Sequence, residues 1–266
     1  MDTKKSIKAS ILICTLNREE SLNRLLRSLR NQNCQDFEVL ICREKGNLVE
    51  LKDKLWRKAQ GEILIWMDDD VVINDSGWIN RVLLFFRNKP AMVGYCSRAF
   101  VPLANLNNRD IFKYRWIHSL YSWLFVDGML NSYGYISRCG VNSIGGDNLH
   151  CWGEPADFLE PSAFALRRSA VETVDGFDLN YKGVGEWCDV DLCYRVKKYG
   201  YLLYDGLAYV THYPERDGIA NQRLETKTRY ENYLRFSEKF IKKTPRHYLY
   251  RAFLKSYFFG KQKGWF

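Results

Sequence analysis

Three short runs of apolar, largely β-branched residues dominate the first quarter of the chain: Ile7 to Cys14, Phe37 to Cys42 and Glu62 to Met67. The first has almost no polar relief, which marks a strand buried on both faces rather than one with a wet side. Strands of that kind belong to parallel sheets, and parallel neighbours need a crossover long enough to hold a helix. The intervening segments supply it. Asn17 stands three residues before Glu20 in a capping-box arrangement, and Leu22, Leu25, Leu26 and Leu29 then recur at helical spacing. Leu48 to Lys58 predicts a second helix. The order β-α-β-α-β is the opening of a doubly wound, mostly parallel α/β sheet with helices on both faces.

Further along, Trp78 to Arg87 predicts an apolar-striped helix and Ala91 to Ser97 a strand. Residues 105–153 lose this regularity. Their Asn, Gly and aromatic clusters predict helical pieces and loops rather than regular strands. Order returns with a strand over Phe158 to Leu166 and a short helix from Arg168 to Val174, closed by Asp175-Gly176. A helix from Asp189 to Tyr199, ended by Gly200, and a last strand over Tyr201 to Thr211 follow. From about Gln222 the pattern is helical, basic and aromatic. With no internal repeat and no Pro/Gly linker, the expectation is an α/β domain over 1–215, in halves 1–104 and 105–215, and a helical extension over 216–266.

The 266 residues are 46% hydrophobic and 27% charged, enough for a substantial core, which excludes a disordered chain. No apolar run approaches the roughly 20 residues of a membrane-spanning helix. The basic N-terminus has no apolar stretch behind it, so no signal peptide is expected and a cytoplasmic location is. Eight cysteines without a Cys-x-x-Cys pair indicate neither a zinc site nor a disulfide framework. Forty Lys and Arg against 31 Asp and Glu give a net charge of +9, which favours an anionic partner. No nucleic-acid motif accompanies that charge, and no nucleic-acid partner is expected.

Chemistry concentrates in two acidic clusters. Asp68, Asp69 and Asp70 follow Ile63 to Met67, so three carboxylates sit at the C-terminal end of a buried strand, where open α/β sheets bind ligands. Adjacent carboxylates repel one another, and hard oxygen donors select Mg²⁺ or Mn²⁺. The plainer reading is a solvated turn. The second cluster, Gly185 to Leu192, enters a helix, where carboxylates also serve as caps. Asp189 and Asp191 are two positions apart and point different ways, so at most one faces a reacting centre and the other caps or pairs with Arg195. His212 is a metal ligand through its imidazole or a structural histidine.

The segments Ser10 to Arg18, Gly61 to Asp70, Arg167 to Asp178 and Gly185 to Leu192 occur in an order and spacing that resemble the family 2 glycosyltransferases of GT-A fold, over roughly residues 8 to 215. The resemblance implies inverting transfer of a sugar from a UDP, GDP or dTDP donor to an acceptor hydroxyl, in glycan, polysaccharide or glycolipid synthesis. It implies a donor site at Thr15, Leu16, Asn17, Arg18, Glu44, Asp68 and Asp69, with Arg43-Glu44-Lys45 where the family has Asp-Asp-Gly. It implies Mn²⁺ or Mg²⁺ on Asp68, Asp70 and His212, and a catalytic base at Asp189. Cys188 stands where the family carries Glu, which leaves Glu186 as its substitute. Glu160-Pro161-Ser162-Ala163 either closes the sugar pocket or is a plain buried strand, and Trp152 and Trp187 either stack on a sugar or pack.

Two other readings remain. A metal-dependent nucleotidyltransferase would need a Gly-rich phosphate loop that Cys14 to Arg18 lacks; a non-catalytic sugar-nucleotide-binding protein would explain Cys188. In the tail, Arg229, Lys239, Lys242, Lys243, Arg246, Arg251 and Lys255 are interleaved with aromatics. Such a segment suits an anionic membrane surface on the cytoplasmic side, and with it a lipid-linked acceptor. It equally suits packing on the α/β domain or on a second copy in a homo-oligomer.

Overall fold

A computed structural model describes residues 7–102, 115–130, 132–143, 154–214 and 226–263. The order is β1 (Ala9–Cys14), α1 (Glu19–Arg30), β2 (Phe37–Cys42), α2 (Leu48–Lys58), β3 (Ile63–Asp68), β4 (Val71–Val72), α3 (Trp78–Asn88), β5 (Met92–Phe100) and α4 (Arg115–Phe125). There follow β6 (Tyr135–Ile136), β7 (Asn142–Ser143), β8 (Glu154–Ala156), β9 (Ala163–Arg167), α5 (Arg168–Thr173), α6 (Cys188–Val196), β10 (Tyr201–His212), α7 (Thr226–Phe240) and α8 (Pro245–Gln262).

The main sheet runs β2-β1-β3-β9-β5-β10-β4, with β8 also on β10. β1 is parallel to β2 and β3, and β5 to β10, while β9 lies antiparallel between β3 and β5. Strands β1, β3 and β10 therefore present their C-terminal ends, and β9 its N-terminal end, to one edge. Alternation along β1 explains its unbroken apolar run. Ile11 and Ile13 face a layer formed by Leu22, Leu25 and Leu29 of α1 and Trp78, Ile79, Val82 and Phe86 of α3. Leu12 faces the opposite layer, with Val49, Leu55 and Trp56 of α2 and Val190, Leu192 and Val196 of α6. Both faces are covered, as a parallel sheet requires.

Three local expectations need correction. Asn17 does not cap α1: it lies at φ +57°, a left-handed conformation that Asn tolerates, and the helix begins one residue after Arg18 with no side-chain cap. That turn aims Arg18 at the acidic triplet. The strand over Phe158 to Leu166 shortens to β9, because Pro161 has no N–H to give a ladder. The buried segment before it still serves the edge, where the Asp68 N–H donates to the Ser162 carbonyl at 2.9 Å. α6 starts at Cys188, preceded by Trp187 at φ +78°.

Within 105–153 the described residues form α4 and the small β6–β7 hairpin. The tail forms α7 and α8. Tyr233 and Phe236 of α7 are buried, Phe236 within the layer that contains α2 and α6. Arg235 donates to Asp178 at 2.7 Å from Nε, and Lys239 at 2.9 Å. Among the described residues all seven cysteines are free thiols, and no helix is long and apolar enough to cross a membrane.

Candidate active site

The C-terminal edge of the sheet opens into a cavity of about 470 Å³. β1 and the turn after it contribute Cys14, Thr15, Leu16 and Arg18, β3 and its turn Asp68 to Asp70, and β10 His212. The segment before β9 adds Glu160 to Ser162, and the entry to α6 adds Gly185 to Trp187 and Asp189. Lys52 of α2 and Arg229 of α7 complete the wall. A larger, open depression of about 670 Å³ beside α1, lined by residues such as Arg24, Asn31 and Tyr213, carries neither carboxylate nor imidazole.

On one side of the cavity, Asp68, Asp70 and His212 each offer a ligand atom, and the three atoms lie within 4.8 Å of one another. Two hard carboxylates and an imidazole form a donor set suited to Mn²⁺ or Mg²⁺. His212 Nε2 stands 3.1 Å from Asp70 Oδ1. The repulsion within the triplet is offset from within the chain. Arg18 donates through Nη1 to Asp69 Oδ1 at 2.6 Å and through Nη2 to Asp70 Oδ2 at 2.8 Å. Thr15 donates its hydroxyl to Asp69 Oδ2 at 2.5 Å. Burial alone would raise the Asp70 carboxyl; the His212 and Arg18 contacts outweigh it and hold it below its usual range. Burial likewise opposes a charge on His212, and Asp70 reverses that and raises it. Glu160 is pushed up by burial, although Ser162 donates to it at 2.9 Å.

Another part of the lining is built on α6 and the residues before it. Asp189, in its first turn, is buried, and both its oxygens accept from Lys52 Nζ, at 2.9 and 3.0 Å. Burial works against the charge on Lys52, but the attraction of Asp189 prevails and raises it. Glu186 accepts from Arg229 Nε at 2.6 Å. Asp191, two residues from Asp189, points away. It is fully buried and accepts from Arg195 Nε at 2.6 Å, from the Tyr181 hydroxyl at 3.0 Å and from Lys239.

Neither a protein-family profile nor a curated protein matches the chain in sequence. Its architecture does match solved structures. TarS 1–349 from S. aureus superposes with a TM-score of 0.54 at 12% identity, over 85% of this chain and 63% of that one. The mannosyltransferase PcManGT from Pyrobaculum calidifontis, solved with GDP-Man and Mn²⁺, gives 0.54 at 11% identity over 96% and 70%. GalNAc-T7, solved with UDP, GalNAc and Mn²⁺, gives 0.58 at 13% identity over 88% and 48%. The fold is GT-A-like. The chain thus spans 48% to 70% of the length of these three structures.

Set in the GT-A-like fold, most sequence-derived candidates converge. Thr15, Leu16, Arg18, Asp68, Asp69, Asp70, Glu186, Asp189 and His212 all line the one cavity. Asn17 and Glu44 do not. Asn17 is consumed by the turn that launches α1, and Glu44 sits exposed past the end of β2. Of the two tryptophans, Trp187 lines the cavity while packing on Tyr233 and Phe236, and Trp152 lies outside the described residues. Lys52 and Arg229 were not anticipated as site residues. Lys52 carries a readable signal: it falls on the apolar face of its own helix, between Val49 and Trp56, where a lysine needs a buried partner.

Proposed function

We propose that the chain is a metal-dependent, inverting glycosyltransferase of hexosyltransferase type, taking a sugar from a nucleotide-diphosphate donor to an acceptor hydroxyl. The observation that carries this reading is the gathering of the Asp68, Asp70 and His212 donor set and of Asp189 in the lining of one cavity. The donors and Mn²⁺ named for the similar structures support it. A divalent cation on Asp68, Asp70 and His212 would act as a Lewis acid toward the diphosphate that leaves.

The chain's own groups do the rest in this reading. Thr15, Leu16, Arg18 and Asp69 receive the nucleotide, with the Arg18 guanidinium as a second cation beside the phosphates. Asp189 takes the proton from the acceptor hydroxyl as that oxygen bonds to the anomeric carbon. The bond from that carbon to the diphosphate oxygen breaks on the opposite side, so the centre inverts. Lys52 holds Asp189 in place, and a carboxylate keeps further lone pairs for the acceptor proton. Glu186, tied to Arg229, borders the acceptor side, and Trp187 offers a stacking surface. The acceptor is a glycan, polysaccharide or lipid-linked sugar, and residues 1–215 form the catalytic unit.

A thermal-shift panel of UDP, GDP and dTDP with Mn²⁺, Mg²⁺ or EDTA tests the reading on the wild type, Asp70→Asn and Asp189→Asn. At a hundredfold excess over Kd, binding adds about 2.7 kcal/mol, on the order of 5 °C for a chain of this length. One nucleotide should give a metal-dependent shift that Asp70→Asn loses and Asp189→Asn keeps, with sugar transfer abolished in both variants. No shift with any nucleotide would sink the reading, and turnover by Asp189→Asn would remove the base.

A further inference from the structure

The proposed chemistry leaves one large surface unused, on α4 and α8. α4 turns Leu120 and Trp123 to solvent, Trp123 at 69% exposure. α8 turns out Tyr248, Leu249, Phe253, Tyr257 and Phe259 along one side, while His247, Tyr250, Leu254 and Phe258 lie on the inward side. The two helices make one continuous surface. Phe253 packs against Tyr121 and Phe125 of α4 at ring-centroid distances of 6.0 and 5.6 Å, and Arg246 donates to the carbonyls of Trp123 and Leu124 at the end of α4. Large exposed apolar side chains gathered this closely mark a surface for interaction.

The charge on this surface is one-sided. Neither α4 nor any residue from Ile241 to Phe266 is Asp or Glu, whereas the last 26 residues hold seven Lys and Arg. Arg246 and Arg251 are paired with Asp127 and Glu238, but the remaining lysines have no acid on α4 or α8, which argues against a second copy seated face to face, since a two-fold interface would set those cations against one another. It fits a surface that is both anionic and apolar beneath. α8 is 18 residues long, turns several aromatics outward, carries basic residues along its length, and is too polar to span a bilayer.

We propose that α4 and α8 seat the protein on an anionic lipid bilayer. α8 lies in the plane of the interface, its aromatic side and Trp123 enter the headgroup boundary, and Lys255 and Lys263 reach lipid phosphates. The placement is independent of the reaction in the cavity.

Co-sedimentation of the full chain with vesicles tests it, using phosphatidylcholine alone and phosphatidylcholine mixed with phosphatidylglycerol. The wild type should pellet with the anionic vesicles at least about tenfold more than with the neutral ones, and high salt should release it. The double variant Trp123→Ala/Phe259→Ser should lose about tenfold in binding with its melting temperature unchanged, since both residues are exposed. Lys255→Glu/Lys263→Glu should lose it comparably. No pelleting with anionic vesicles would overturn the proposal. So would binding that survives the aromatic substitutions and yields only to salt, which is charge attraction without insertion. A dimer in light scattering that the aromatic variant dissociates, with no vesicle binding, would assign the surface to a second copy instead.

Discussion

Removing Lys52 while keeping Asp189 should destabilise the protein far more than a surface lysine would. The two side chains are 10% and 11% exposed and joined at 2.9 Å, in a wall that also contains Leu12, Trp66 and Val190. Lys52→Met therefore leaves a carboxylate buried without its counter-charge, at a cost of about 3–5 kcal/mol. Unfolding entropy of about 2.1 cal/mol/K per residue converts this into a loss of roughly 5–9 °C in Tm for the 266 residues. Asp189→Ala leaves the opposite charge unpaired and should also cost several degrees. The double variant Lys52→Met/Asp189→Ala removes both charges, and its loss should fall well short of the sum of the singles. Thermal and urea unfolding at pH 7 without metal or nucleotide measures all three. The lysine is held above its usual 10.5, so its contribution is complete below that pH and fades only as pH climbs through the higher folded value. The melting difference should accordingly be flat from pH 6 to about 9. Additive losses in the double variant, or a Lys52→Met protein as stable as the wild type, would refute the claim that the pair is a coupled buried unit.

Gly61→Ala should cost about 1–3 kcal/mol in urea unfolding, because the new Cβ would stand 2.4 Å from the Ala9 carbonyl carbon and 2.6 Å from the Ser10 nitrogen, backbone atoms of β1 that cannot yield; an unchanged midpoint would count against that close approach. Asp178 is raised by burial but lowered further by bonds from Asn180, Lys239 and Arg235, so its net shift is down. Its contribution is present above its usual 3.8 and is lost progressively as pH falls below that toward the lower folded value, so Asp178→Asn should be less stable than the wild type at pH 7, with a deficit that has begun to shrink by pH 3. A deficit that is constant with pH would contradict the linkage. Arg18→Gln removes the guanidinium shared by Asp69 and Asp70, which should lower Tm and enlarge the Tm rise on adding Mn²⁺; equal rises in variant and wild type would show that Arg18 does not offset the triplet's repulsion.

What the sequence makes legible here depends on the range over which each feature is determined. β1, β2, β3 and the helices between them are read from local periodicity, because burial on both faces or one leaves its mark residue by residue. The Asp68 to Asp70 triplet is equally local: a strand that ends in carboxylates places them at the sheet edge whatever follows. The antiparallel insertion of β9 between β3 and β5 leaves no such mark, since a buried strand looks alike in either direction. Asn17 and Glu44 were placed by motif position, and neither lines the cavity: Asn17 lies in the turn before α1 and Glu44 is exposed past the end of β2. The convergence of His212 on Asp70 and of Lys52 on Asp189, across 137 positions in the second case, follows from sheet order and helix docking. Lys52 nevertheless breaks the apolar face of α2, and a sequence tolerates that only where a partner elsewhere makes burial of the charge affordable. Lys52 is such a charge, and its partner Asp189 stands with it in the lining of the cavity.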